Sequence, residues 1–111
     1  IADMAKIARP GSLSVHGIDG IDHRWYADPS RHRLGFLQED PSATLIGGCN
    51  RIPPLAFAEI FERCGFEVRG IYEGPRLELT SDEIGSFAPR FRDVIGDGRE
   101  VLRARYYLRR R

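Results

Sequence analysis

The chain has 111 residues, with 17 Lys plus Arg against 16 Asp plus Glu and a net charge of +1. That length supports one domain, 1–111, long enough to bury roughly two thirds of its unfolded surface without staples. The near-zero charge gives no overall field that would draw nucleic acid or a membrane. No apolar run approaches the ~20 residues needed to span a bilayer, and no charged-then-apolar signal segment opens the chain. A cytoplasmic location is the default expectation, with neither nucleic acid nor membrane as partner. Cys49 and Cys64 do not make a secreted disulfide framework; both are read as free thiols, Cys64 in the core.

In chain order, Ile1, Met4, Ala5 and Ala8 follow helical spacing, and Arg9-Pro10-Gly11 ends that helix, since proline disfavours helical φ and ψ in the residue before it. Residues 13–18 (LSVHGI) form a short strand candidate. From 19 to 51 no period is sustained, and the segment is rich in Gly, Pro, Asp, His and Arg, with one helical turn expected at 30–37. A loop of that length inside a compact domain is usually functional or mobile, so a binding surface is expected there.

The stretch 50–73, NRIPPLAFAEIFERCGFEVRGIYE, organises the rest. Pro53 and Pro54 belong just outside or at the first turn of a helix, where the missing backbone donor would have no intrahelical partner. A helix is expected over 55–64, because Phe57, Ile60, Phe61 and Cys64 make one stripe of a 3.6-residue period. Gly65 stops it by entering the left-handed region without a Cβ penalty. Phe66-Glu67-Val68-Arg69 then alternates as a strand. Burying Phe57, Ile60 and Phe61 is worth roughly 1.5–3 kcal/mol each, against propensity differences of a few tenths, so packing onto a sheet decides this fold.

Farther on, Gly74-Pro75 turns the chain, and Thr80 with Glu83 has capping-box spacing for a short helix carrying Ile84, Phe87 and Phe91, interrupted near Pro89. Gly96-Asp97-Gly98 is another turn. Residues 101–108 alternate as a strand with one core face, a helix being the other reading. Helices alternating with strands imply an α/β class, with the first two strands paired in parallel across a helical crossover and the last strand returning antiparallel.

Three stretches then resemble the C-terminal half of class I S-adenosylmethionine-dependent methyltransferases. MAKIARPG (4–11) resembles the turn into that family's fifth strand, NRIPP followed by FAEIFERCGFEV (50–54 and 57–68) its last major helix and sixth strand, and YYLRR (106–110) its seventh. The resemblance implies a partial Rossmann-like sheet of about three strands, two parallel and the last antiparallel, with the seventh strand inserted between the fifth and sixth. It implies a methyltransferase whose acceptor side is here. The glycine-rich loop and the acidic ribose-binding residue of the family have no counterpart, because Gly17-Ile18-Asp19-Gly20 lacks the required spacing and context. S-adenosylmethionine is therefore the cofactor expected of a complete enzyme, and no cofactor-binding residue is assigned to this chain alone. The chain is expected to be either a fragment whose N-terminal half is missing or a small protein that keeps half of the fold. Half a sheet leaves the edge at 13–18 open, which predicts a homodimer or a missing partner half.

His16, Asp19, Asp22 and His23 stand at the end of the first strand and beyond. Imidazole and carboxylate can bind a divalent ion, but the spacing matches no metal motif. They can equally be polar loop residues, or they can face a small-molecule acceptor beyond the carboxyl ends of the strands, with His16 or His23 as a base. On that last reading the substrate-binding residues are His16, Asp19, His23 and Tyr26, joined by Asn50 and Arg51 near the acceptor pocket implied by the resemblance; no catalytic residue and no metal ligand is assigned. Trp25, Tyr26 and Phe36 can stack on a ligand or form the loop's own core. Arg103, Arg105, Arg109, Arg110 and Arg111 are read as a solvated face, phosphate contact being the alternative. Two further classes stay open: a non-catalytic module that dimerises through its sheet edge, and a ligand-binding α+β cone with the loop as lid.

Overall fold

The computed structural model describes residues 1–39, 52–93, 95 and 98–111. Helix α1 (Ala2–Ile7) leads through Gly11, in the left-handed region at φ 82°, into strand β1 (Leu13–Asp19). A short α2 (His23–Ala27) follows, capped by Asp22, and a 3-10 turn covers Gly35–Leu37. After a second 3-10 turn (Pro54–Ala56) come α3 (Phe57–Arg63), β2 (Phe66–Glu73), β3 (Arg76–Glu78), α4 (Ser81–Ser86), α5 (Pro89–Arg92), β4 (Arg99–Val101) and β5 (Arg103–Arg110).

The prolines act as expected at the helix entry, except that the first turn is 3-10 and α3 itself starts at Phe57. Gly65 ends the helix at φ 84°, and the arginine of the last strand closes over it: Arg110 Nη1 donates to the Gly65 carbonyl at 2.6 Å and Nε to the Ala5 carbonyl at 3.1 Å. Thr80 and Glu83 form the reciprocal capping box of α4.

The main sheet has the order β1-β5-β2, and both pairings are antiparallel. The expected parallel pairing of the first two strands is not found. β1 and β2 run in the same direction, but β5 lies between them and takes the hydrogen bonds that each would have given the other. A helical crossover fixes the direction of two strands, not their adjacency. Strands β3 and β4 pair as a second, two-stranded antiparallel sheet that three-residue segments are too short to announce by periodicity.

One face of the main sheet is packed. Ala104, Tyr106 and Leu108 of β5 join Phe66, Phe57, Phe61 and Val101 in a buried cluster, with Met4, Ala5 and Ala8 against it. Tyr106 is fully buried and its hydroxyl donates to the carbonyls of Pro54 (2.6 Å) and Leu55 (3.1 Å), tying the last strand to the entry of α3. Cys64 is half-buried at the margin of this cluster. Leu34, Phe36 and Leu37 of the loop make a second core with Phe87, Phe91, Ile95 and Leu102. Phe36 thus belongs to a loop core rather than to a stacking surface.

Among the described residues the other face is largely uncovered. Leu13 is 77% exposed, Val15 57% and Tyr72 65%, whereas Leu108, on the packed side of the same sheet, is 1% exposed. No helix of the described residues is long and apolar enough to cross a membrane.

Candidate functional site

At the carboxyl end of β1 the register sets Asp19 opposite Arg103 and Gly17 opposite Arg105. On the far side of β5, Tyr72 stands opposite Arg105. Side-chain alternation puts all of them on the bare face. The loop after β1 then returns α2 to this edge. Asp22 caps α2 by accepting from the Arg24 backbone N–H at 3.0 Å, and holds the Arg24 guanidinium at 2.6 Å. Arg24 also pairs with Glu39. Burial pushes the Asp22 carboxyl up, but the hydrogen bonds and charge of Arg24 overturn this and hold it below the ordinary carboxylate range.

That anchor positions Tyr26. Its hydroxyl donates to Asp19 Oδ2 at 2.9 Å and accepts from Arg103 Nη2 at 2.7 Å, while Arg103 Nε lies 3.5 Å from Asp19 Oδ1. The Tyr26 hydrogen bond and then the Asp19 charge raise the Arg103 guanidinium further above its ordinary value. Asp19 Oδ1 also accepts from the Ile21 backbone N–H at 3.1 Å. The result is an oriented chain of carboxylate, phenol and guanidinium.

Beside it lies a depression of about 310 Å³, bounded by Gly17 and Asp19 of β1, Tyr72 of β2, the Gly74-Pro75 turn, and Arg103 and Arg105 of β5. Gly17 leaves it open: a Cβ there would meet nothing within 4 Å.

Asp19 and Tyr26 are therefore brought together, and the His23 ring stands 6.0 Å from that of Tyr26. His16 is placed elsewhere. It faces the packed side, its ring 5.5 Å from Phe61 and its Nε2 3.2 Å from Ser14 Oγ. Asn50 and Arg51 lie outside the described residues, as does Cys49. Among the described residues no group of three or more His, Cys, Asp or Glu could hold a metal ion. Trp25 is half-buried under the Arg33 guanidinium, 4.8 Å from the ring centroid.

The site also contains Arg103, Arg105 and Tyr72, which the sequence did not single out for it. Arg103 is 77 positions from Tyr26. The only signal was its place in an alternating strand whose other outward residues are also charged or aromatic. No protein-family model, curated protein or solved structure matches the chain.

Proposed function

We propose that this chain is the acceptor-side, C-terminal half of an S-adenosylmethionine-dependent methyltransferase, inactive on its own. The observation that carries the reading is the insertion of β5, antiparallel, between β1 and β2, with α3 leading directly into β2. That is the strand arrangement the sequence resemblance implies, and the match of order and direction supports it.

The cofactor is assigned to residues outside this chain. Gly17 and Gly20 do not cradle a ligand's phosphate or sulfonium: Gly17 is in mid-strand, and a Cβ on Gly20 would stand 2.5 Å from Pro54 Cγ, so that glycine serves packing. What the chain contributes is position. The Asp19, Tyr26 and Arg103 chain offers an acceptor fixed hydrogen-bond partners at the carboxyl ends of two strands, where ligands of open α/β sheets bind, and holding a nucleophile in line supplies much of such a reaction's acceleration.

Two measurements test this. Calorimetry of S-adenosylmethionine with the 111-residue chain is expected to show no micromolar binding; such binding would contradict the assignment. A strand followed by a glycine-rich loop in coding sequence upstream of Ile1 is the expected companion, and an upstream sequence lacking both would sink the reading.

A second reading rests on β1. Among the described residues its outer edge has no strand partner, and LSVHGID carries neither proline, lysine nor bulge to discourage pairing with another chain. A non-catalytic module dimerising through that edge would give a stable dimer in light scattering, whereas a monomer removes it.

A further inference from the structure

We infer that the depression at the carboxyl end of β1 and β2 binds a small aromatic monocarboxylate, anchored by Arg105 and stacked on Tyr72. Around the depression Asp19 is engaged by Tyr26, Ile21 and Arg103, and Arg103 is engaged by Tyr26 and Asp19. The Arg105 side chain has no hydrogen-bond or ion-pair partner among the described residues, though it stands on the central strand between Gly17 and Tyr72. A planar guanidinium presents a fork of donors that matches a carboxylate bidentately.

Charge and shape narrow the class. Two guanidinium groups and one carboxylate line the depression, leaving one positive charge, which one carboxylate balances and a phosphate dianion overshoots. The Tyr72 side chain is 65% exposed beside Arg105, and an aromatic face left open at a binding depression is a stacking surface. The volume of about 310 Å³ is at the lower end for ligand sites, which suits a single ring. Gly17 supplies the room. Its backbone is in ordinary extended conformation, not the left-handed region, and a Cβ would meet no atom within 4 Å. Neither conformation nor packing requires glycine at this point of the strand; the space beside Arg105 does.

The inference uses the same end of the sheet as the proposed acceptor side but does not depend on methyl transfer. Binding with no activity in any completed enzyme would overturn the methyltransferase reading and leave this one standing; absence of binding overturns this one alone.

The experiment is an NMR titration of the 111-residue chain with benzoate, using benzyl alcohol as the uncharged comparison. Saturable shifts at residues 17–19, 72–75 and 103–105 are expected, with Arg105→Gln and Gly17→Val each weakening binding at least about tenfold, the first by removing the charge and the second by filling the space. Arg105 is exposed, so its variant keeps the fold even if the strand substitution does not. No saturation, equal affinity in Arg105→Gln, or benzyl alcohol binding as well as benzoate would each overturn the assignment.

Discussion

The two faces of the β1-β5-β2 sheet are built from the same strands and do opposite work. The face carrying Ala104, Tyr106 and Leu108 is closed by α3 and α1 and holds the buried cluster. Among the described residues the face carrying Arg103, Arg105 and Tyr107 is touched by a helix only at its edge, where Tyr26 of α2 reaches Asp19 and Arg103, and it holds the depression beside Asp19. Because the side-chain period of a strand is two, each residue of β5 belongs to one account or the other. Stability should therefore respond to even-numbered positions of β5 and binding to odd-numbered ones.

The largest expected effects lie on the packed face. Tyr106→Ala and Phe61→Ala should each cost about 3–5 kcal/mol in urea unfolding, the range for emptying a large aromatic site. Tyr106→Phe keeps the volume and loses only the bond to the Pro54 and Leu55 carbonyls, so about 1–2 kcal/mol is expected. If the two Tyr106 variants were equally destabilised, the packing account of this face would fail.

Asp22 comes next. Its carboxylate is buried, caps α2 and pairs with Arg24, and Asp22→Ala should cost about 2–4 kcal/mol by removing a cap and leaving Arg24 without one partner. The same group sets a pH dependence. Its folded value is depressed, so its contribution is complete above the unfolded carboxylate value, about 4, and is lost as pH falls through the lower folded value. Asp22→Asn should flatten the acid limb of the stability curve between pH 5 and 2, roughly the span over which such carboxylates titrate. An unchanged acid limb would place the sensitivity elsewhere.

The smallest effects belong to the bare face. Tyr26→Phe removes the hydroxyl that links Asp19 to Arg103 and should leave the melting midpoint within about 2 °C, since substitutions away from packed features seldom exceed 0.5 kcal/mol. Gly17→Val should raise stability by about 0.5–1 kcal/mol, because glycine is a poor strand residue and the added side chain meets open space.

Much of the packed face was legible in the sequence. The Phe57, Ile60, Phe61 stripe, the stop at Gly65, the Thr80 and Glu83 box and the alternation from Arg103 through β5 are local patterns, and the structure bears them out, but the single strand expected over 101–108 is broken at Leu102, with Val101 buried at the end of β4. Partner choice was not legible from local pattern; a late strand between the first two was expected only through the family resemblance. Nothing local in LSVHGID or FEVRGIYE says that their common neighbour comes from the far end of the chain. The five-residue α2 was missed for a related reason: HRWYA has no apolar period, and its capping by Asp22 depends on Arg24 and on burial. Of the site, Asp19 and Tyr26 were reachable by their places at the end of a strand and in the segment just beyond it. Arg103 and Arg105 were not, because a charged residue in an alternating strand looks the same whether it faces water or a ligand.

The measurement that tests the division between the faces most directly is a pair of readings on Gly17→Val: its thermal midpoint and its affinity for benzoate. A midpoint equal to or above wild type, together with lost binding, is the predicted result. A lowered midpoint, or benzoate held as tightly as by the wild-type chain, would contradict it.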